Sequence, residues 1–149
     1  MKSLTAFMHP FEEKIIKAPL PKRFGDDLME IRTLPPQVLK KLRGDCKDTK
    51  IAVDDKGNPY INGGEVVHEV IYDTEKAVRL IVAEALVYPD LKDAGLMAKL
   101  DCIDITEMLD RVFHEPGEVE HVISMVYAVI NDNADAETLI KKAKKDLPQ

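Results

Sequence analysis

The sequence contains no tryptophan, and aromatic residues make up only 5% of its 149 positions. Surfaces that bind single-stranded nucleic acid stack bases on aromatic side chains set among cations, and no stretch of this chain combines the two. Positive charge is also in deficit, because 21 Lys and Arg stand against 27 Asp and Glu and the formal net charge is -6. Such a chain repels phosphate, so neither nucleic acid nor an anionic membrane is an expected partner.

Cysteine and serine are scarce. The cysteines are Cys46 and Cys102, and the N-terminus lacks the apolar run and small-residue cleavage site of a signal peptide. We therefore expect reduced, inert thiols in the cytoplasm, with a chance close pair as the alternative. Ser3 and Ser124 are the only serines, and neither lies in a nucleophile elbow. No two carboxylates stand out as general acid and base. We therefore predict that the protein is not an enzyme and binds no cofactor.

No apolar run reaches the about 20 residues that cross a bilayer. The run Ala77–Tyr88 has only Arg79 and Glu84 as polar residues, and it stops at Pro89. A helix that is apolar nearly all round is buried. The pattern therefore predicts a central core helix over about 74–88.

The rest of the chain predicts strands first and helices afterwards. Alternating residues in 28–33 favour a strand, which we expect to form a hairpin with 12–18. Helices are predicted over about 35–45, 91–100, 104–114, 118–130 and 134–146. We expect one domain over 1–149, with a β-hairpin region in 10–33, a helix in 34–46, a variable loop with short strands in 47–73 and a helical bundle in 74–146. The predicted fold class is α+β, mainly helical, with a small N-terminal β-hairpin followed by a bundle of about five to six helices.

Two groups of side chains contain residue types that can bind a metal ion. His114, Glu118 and His121 would share a face of one continuous helix, but Pro116-Gly117 lies between the first two. The segment Asp54–Asn58 has the acid and glycine content of a cation loop, yet it lacks the alternating acids and distal Glu of a calcium site. We predict a solvated helix for the first group, a hairpin turn for the second, and no metal.

The predicted helix 118–130 has a wider apolar stripe than one core contact requires. Met125, Ala128 and Val129 widen it. Two interpretations stay open: a helix packed between two other helices, or a face that takes up an apolar helix of a partner. For the second, the expected partner-binding residues are His121, Met125, Ala128 and Val129.

Several segments together resemble a known family. They are Pro21-Lys22-Arg23-Phe24 before a Gly-Asp-Asp turn, Val87–Leu91 with Asp93 and Leu96 behind it, and the break Pro116-Gly117-Glu118. In this order they resemble the XkdN-like phage tail assembly chaperones over roughly 10–132. The chain departs from that family in a longer insertion at 48–72 and in a short N-terminal turn.

The resemblance implies a non-enzymatic role in the cytoplasm of a bacterial host. Such a protein would bind the apolar, helical tape measure protein, help to recruit tail tube subunits, and be missing from the finished virion. A homo-oligomer is compatible with this role. The alternative is a structural or homo-oligomeric adaptor protein of a phage tail or phage-like particle.

Overall fold

The computed structural model describes the backbone of residues 3–146 and the side chains of residues 3–143. Its strands are β1 (Ile15–Pro19), β2 (Leu28–Arg32), β3 (Lys47–Ile51), β4 (Ile61–Asn62), β5 (Glu65–Val66), β6 (His68–Tyr72) and β7 (Leu86–Tyr88). Its helices are α1 (Pro36–Gly44), α2 (Thr74–Ala85), α3 (Ala94–Lys99), α4 (Ile105–Val112), α5 (Glu118–Asp132) and α6 (Ala136–Asp146).

The N-terminal hairpin forms where the alternating pattern places it. β1 and β2 pair antiparallel, from Ile15 opposite Arg32 to Pro19 opposite Leu28. The side chains of Met29 and Ile31 are completely buried, since alternate residues of a strand point to the same face of the sheet. This hairpin supplies the sheet that the helices cover.

The apolar run 77–88 does not continue as one helix. α2 ends at Ala85, and the next three residues form β7, which pairs with β2 through Ile31–Leu86 and Glu30–Tyr88. The prediction of a helix over 74–88 is thus wrong at its C-terminal end. The residue before a proline avoids the helical region, and the open edge of β2 offers hydrogen-bonding partners to the extended chain. The N-terminal hairpin is therefore part of a three-stranded sheet ordered β1-β2-β7.

α2 occupies the centre of the fold, as its composition predicts. It contacts α1, α4, α5 and β7, and Ile81, Val82 and Ala85 are at most 1% exposed. Its N-terminus is capped by the carboxylate of Asp73, which accepts a hydrogen bond from the Lys76 amide. A short polar side chain at this position satisfies one of the amides that a helix start leaves unpaired.

The region 47–73, predicted as a variable loop with short strands, is an antiparallel β structure. β3 and β6 pair over five residues each, from Lys47 opposite Tyr72 to Ile51 opposite His68. The chain between them forms the Asp54–Asn58 turn and the small hairpin of β4 and β5. All ten residues of β3 and β6 are exposed. We call residues 47–72 the β-arm.

The predicted fold class is therefore corrected. The structure is 45% helical and 21% strand, with six helices and three small sheets in its described part, and this is a mixed α+β arrangement rather than a hairpin attached to a helical bundle. The helices pack on the sheet as well as on each other, since α5 contacts β2 and α6 contacts β1. None of the described helices has the length and apolarity to span a membrane.

Candidate partner-binding surface

The residues predicted to bind a partner on α5 lie mostly in the core. Met125, Ala128 and Val129 are 1%, 7% and 2% exposed. His121 is half-buried, and its Nε2 lies 2.8 Å from the carbonyl oxygen of Pro19. The first three therefore have almost no exposed surface in this structure, and their binding of a partner stays a prediction.

The wide apolar stripe of α5 has a structural explanation. The helix lies between two elements and contacts β2 and α2. A helix that packs against one surface needs one stripe, whereas a helix enclosed on two sides must be apolar on both. The first interpretation of the pattern therefore fits the structure, with a strand in place of one of the two expected neighbours.

The three candidate metal ligands near α5 have separate surroundings. His114 is exposed beside Glu115, at 3.3 Å from its carboxylate, while His121 is held at the Pro19 carbonyl. Glu118 accepts two hydrogen bonds of 2.9 Å from the Arg23 guanidinium. In the part of the chain that is described, no three His, Cys, Asp or Glu side chains are grouped to hold a metal ion.

The Arg23–Glu118 pair is a structural feature of the fold. Glu118 is 6% exposed, and it also accepts a hydrogen bond from the Glu115 amide. The bonds from Arg23 hold the pKa of the Glu118 carboxyl below its ordinary value of 4.5. Arg23 in turn stacks on the ring of Phe24. Two of the segments that carry the family resemblance, Arg23-Phe24 and Pro116-Gly117-Glu118, are thus joined by this ion pair.

The remaining chemically reactive groups are also structural. The thiols of Cys46 and Cys102 are free and buried, and burial raises the pKa of the Cys46 thiol. Asp54 accepts hydrogen bonds from the amides of Lys56 and Asn58 at 2.9 Å. The loop with cation-site composition is therefore a hairpin turn, as expected.

One face of the β-arm is an exposed apolar surface. The register places Tyr72 opposite Lys47 and Val70 opposite Thr49, with Ile51 opposite His68, and these pairs share a face because side chains alternate along a strand. Tyr72, Val70 and Ile51 are 57%, 50% and 46% exposed. We call them the arm stripe.

The other face of the β-arm is more polar. It carries the pairs Asp48–Ile71 and Lys50–Glu69, and the Lys50 ammonium lies 3.2 Å from the Glu69 carboxylate. The arm therefore has an apolar side and a largely charged side.

The arm stripe leads into a groove in the body of the protein. Tyr72 and Lys47, at the base of the arm, line it together with the ends of α1 and α2. Ala77, Val78 and Ile81 of α2 and Tyr127 of α5 form its floor, and its volume is about 820 Å³. We call this the α1–α2 groove. Its size is within the range of about 300–1,000 Å³ that is usual for binding pockets.

Cations surround this groove although the chain as a whole is acidic. Lys40, Arg43 and Lys47 line its edge, and among the described residues none of the three forms a salt bridge. Burial raises the pKa of the Tyr127 phenol, with the positive charge of Arg43 acting in the opposite direction. The arrangement is an apolar floor with a basic rim, which suits an apolar ligand carrying negative charge at its edge.

Sequence reasoning missed this surface. Its members lie at positions 40–47, 72–81 and 127, so no local spacing connects them. The available signal was the alternation of Val66, His68, Val70 and Tyr72, which predicts a strand with one apolar face.

Comparisons with known proteins find one family model and one solved structure that match most of the chain. The family model described as phage XkdN-like tail assembly chaperone protein matches residues 4–144. Among solved structures, the crystal structure of the protein yqbn, a structural genomics target, is similar with a TM-score of 0.60 and 16% sequence identity. The match covers 87% of this chain and 96% of that one, and at this identity it shows a shared fold. No curated protein matched the sequence.

Proposed function

Since the chain belongs to the phage XkdN-like tail assembly chaperone family, we propose that it binds the tape measure protein while the tail is being built. That client is expected to be long, helical and apolar, and to aggregate when its surface is uncovered. The chaperone would cover it in the host cytoplasm, help to bring tail tube subunits to it, and leave before the tail is complete. The role is non-enzymatic.

The observation that carries this proposal is the continuity of the arm stripe with the α1–α2 groove. A contiguous exposed apolar surface usually marks a protein interaction site. Here the surface extends from Ile51 on the arm to Val78 in the groove. An amphipathic helix laid into an apolar groove is a recurring mode of peptide recognition.

The dimensions support a helical client. Five residues of strand extend about 17 Å, and this length corresponds to about 11 residues of helix, or three turns. Such a segment would place apolar side chains on the arm stripe and the groove floor. Acidic residues along its edge would meet Lys40, Arg43 and Lys47.

The β-arm itself gives a second argument. An isolated two-stranded hairpin is marginally stable in water, and the arm has no covering layer in the described structure, since all residues of β3 and β6 are exposed. A bound helix would supply the missing layer. Full burial of a Val or Ile side chain stabilises by about 1.5–3 kcal/mol, so covering the exposed half of Val70 contributes about 1 kcal/mol.

Co-expression with the tape measure protein tests the proposal. The double variant Val70→Ser with Tyr72→Ser removes two of the three arm-stripe side chains while changing only exposed positions. We expect the wild-type chain to keep the client in the soluble fraction, and the double variant to bind it about 10–100-fold more weakly. Ile103→Ser is the matched control, because Ile103 is an apolar side chain that is 97% exposed and lies outside this surface.

Two results would count against the proposal. One is a client that is equally insoluble with and without the wild-type chain. The other is equal loss of binding in the Ile103→Ser control, which would show that the arm stripe has no special role. Mass spectrometry of purified particles addresses the adaptor alternative, because a chaperone should be missing from them and a structural adaptor should be present.

A further inference from the structure

Besides the β-arm, the N-terminal segment carries a cluster of large, exposed apolar side chains. Leu4, Phe7, Met8 and Phe11 are 65%, 83%, 73% and 50% exposed. They are held in local structure, since Thr5–Phe7 form a 3-10 turn and the Ser3 and Thr5 hydroxyls are 2.7 Å apart. We call Leu4–Phe11 the N-terminal segment. A surface of this kind needs a partner to cover it.

The charges next to this segment match the α1–α2 groove. Glu12 and Glu13 follow Phe11 directly, and Glu13 makes only a loose contact with Arg32, at 3.9 Å. The segment is thus apolar with a negative end. The groove has an apolar floor and a basic rim of Lys40, Arg43 and Lys47. The two surfaces are complementary both in polarity and in charge.

We propose that the N-terminal segment of one copy occupies the α1–α2 groove of a second copy, with Glu12 facing the Arg43 side of its rim. The chain then assembles with itself through this contact. If the swap is reciprocal, it closes a dimer; if each segment enters the next groove, it forms a ring or a chain of copies.

The observed position of the segment favours a second copy over the segment's own groove. Lys14 is fixed to Thr33 by two hydrogen bonds of 2.9 Å, one to its hydroxyl and one between the backbones. Glu12 is two residues from this anchor, so its backbone reaches about 7 Å from it. In the structure the segment does not line its own groove.

Self-assembly of this kind has a consequence for the client. If the groove is also the client site, the N-terminal segment and the client exclude each other, so that free chaperone covers its own apolar surfaces until a client displaces the neighbour. This exclusion rests on the proposed function. The contact between two copies does not depend on it.

Complementation between two variants tests the contact. The first variant, Phe7→Ser with Phe11→Ser, loses the segment but keeps the groove. The second, Lys40→Glu with Arg43→Glu, loses the rim but keeps the segment. The molar mass is measured by light scattering after size-exclusion chromatography. We expect the mass of the wild-type protein to rise with concentration and each variant alone to be a monomer. A mixture of the two variants should form a heterodimer. Ile103→Ser and Lys99→Glu, both at exposed positions outside the two surfaces, should behave as wild type.

A cysteine pair checks which copy supplies the segment. Phe11→Cys combined with Val78→Cys should form a disulfide-linked dimer on oxidation, since the native thiols are buried. A cross-link within one chain would overturn the proposal, as would a wild-type protein that is monomeric at every concentration or a mixture of variants that stays monomeric. The outcome is separable from the proposed function, because Phe7→Ser with Phe11→Ser leaves the arm stripe intact and should still keep the client soluble.

Discussion

Truncation of Met125 tests whether α5 is core or client surface. The side chain is 1% exposed and belongs to the hydrophobic core between β2 and α2. Replacing a buried Met by Ala removes its contacts and leaves a cavity, which costs about 2–5 kcal/mol. For a domain of this size each kcal/mol lowers the melting temperature by roughly 2–4 °C, so Met125→Ala should lower it by roughly 4–20 °C.

Aspartate at the same position should be more damaging. An ionised carboxylate without a partner adds a desolvation cost of several kcal/mol to the lost packing. Domains have only about 5–15 kcal/mol of stability in total, so we expect Met125→Asp to be largely unfolded. Circular dichroism during thermal and urea unfolding measures both variants.

Ile103→Ala is the matched control for these substitutions. It truncates a large apolar side chain that is 97% exposed, and surface changes of this type stay within about 0.5 kcal/mol of wild type. If Met125→Asp folded like wild type and lost only client binding, the assignment of α5 to the core would be refuted, and the partner face would return to His121, Met125, Ala128 and Val129.

Two pH effects follow from single contacts. Arg23 depresses the pKa of Glu118. The pair therefore stabilises the fold at pH values above the ordinary Glu pKa, and this contribution is lost as the pH falls through the depressed pKa. The variant Arg23→Gln should therefore unfold at a higher pH during acid titration, while Arg111→Gln, at an exposed position, should not. Burial raises the pKa of Tyr127, so its contribution is complete below the ordinary Tyr pKa of about 10 and is lost as the pH rises towards the folded-state value. Tyr127→Phe should therefore raise the midpoint pH of alkaline unfolding. An unchanged midpoint would show that this phenol stays protonated or is already solvated.

Local sequence patterns were sufficient to predict a helix or strand where one face of the element is buried against a neighbour. The alternation in 28–33 predicted β2, and the helices predicted from about 74 and 104 begin there, after the capping residues Asp73 and Asp104. In these elements the same residues that prefer a conformation also fill the core, so propensity and packing agree.

Local sequence patterns were insufficient to predict a strand where pairing over a long sequence distance decides the structure. Leu86–Tyr88 are as apolar as the helix before them, and only the edge of β2, more than fifty residues earlier, makes them a strand. β3 is Lys47–Ile51, a polar stretch with no buried residue, so it has no hydrophobic period to detect. Its strand character comes from the register with β6. The α1–α2 groove could not be predicted for the same reasons, because it lies where the β-arm meets the helices.

The distribution of apolar surface explains why a binding site would use the β-arm and the groove at its base rather than the enclosed faces of the helices. α2 and α5 are enclosed on several sides, so a substitution that improved their fit to a client would also disturb the core. The arm carries no core residue in β3 or β6, so a change in its apolar face leaves the packing of the core intact. An exposed strand edge is an aggregation hazard that charged side chains reduce. Lys50 and Glu69 on the opposite face, with the net charge of -6, would keep such a surface in solution until it is covered. A chaperone needs this combination, since it must present an apolar surface to its client without aggregating itself.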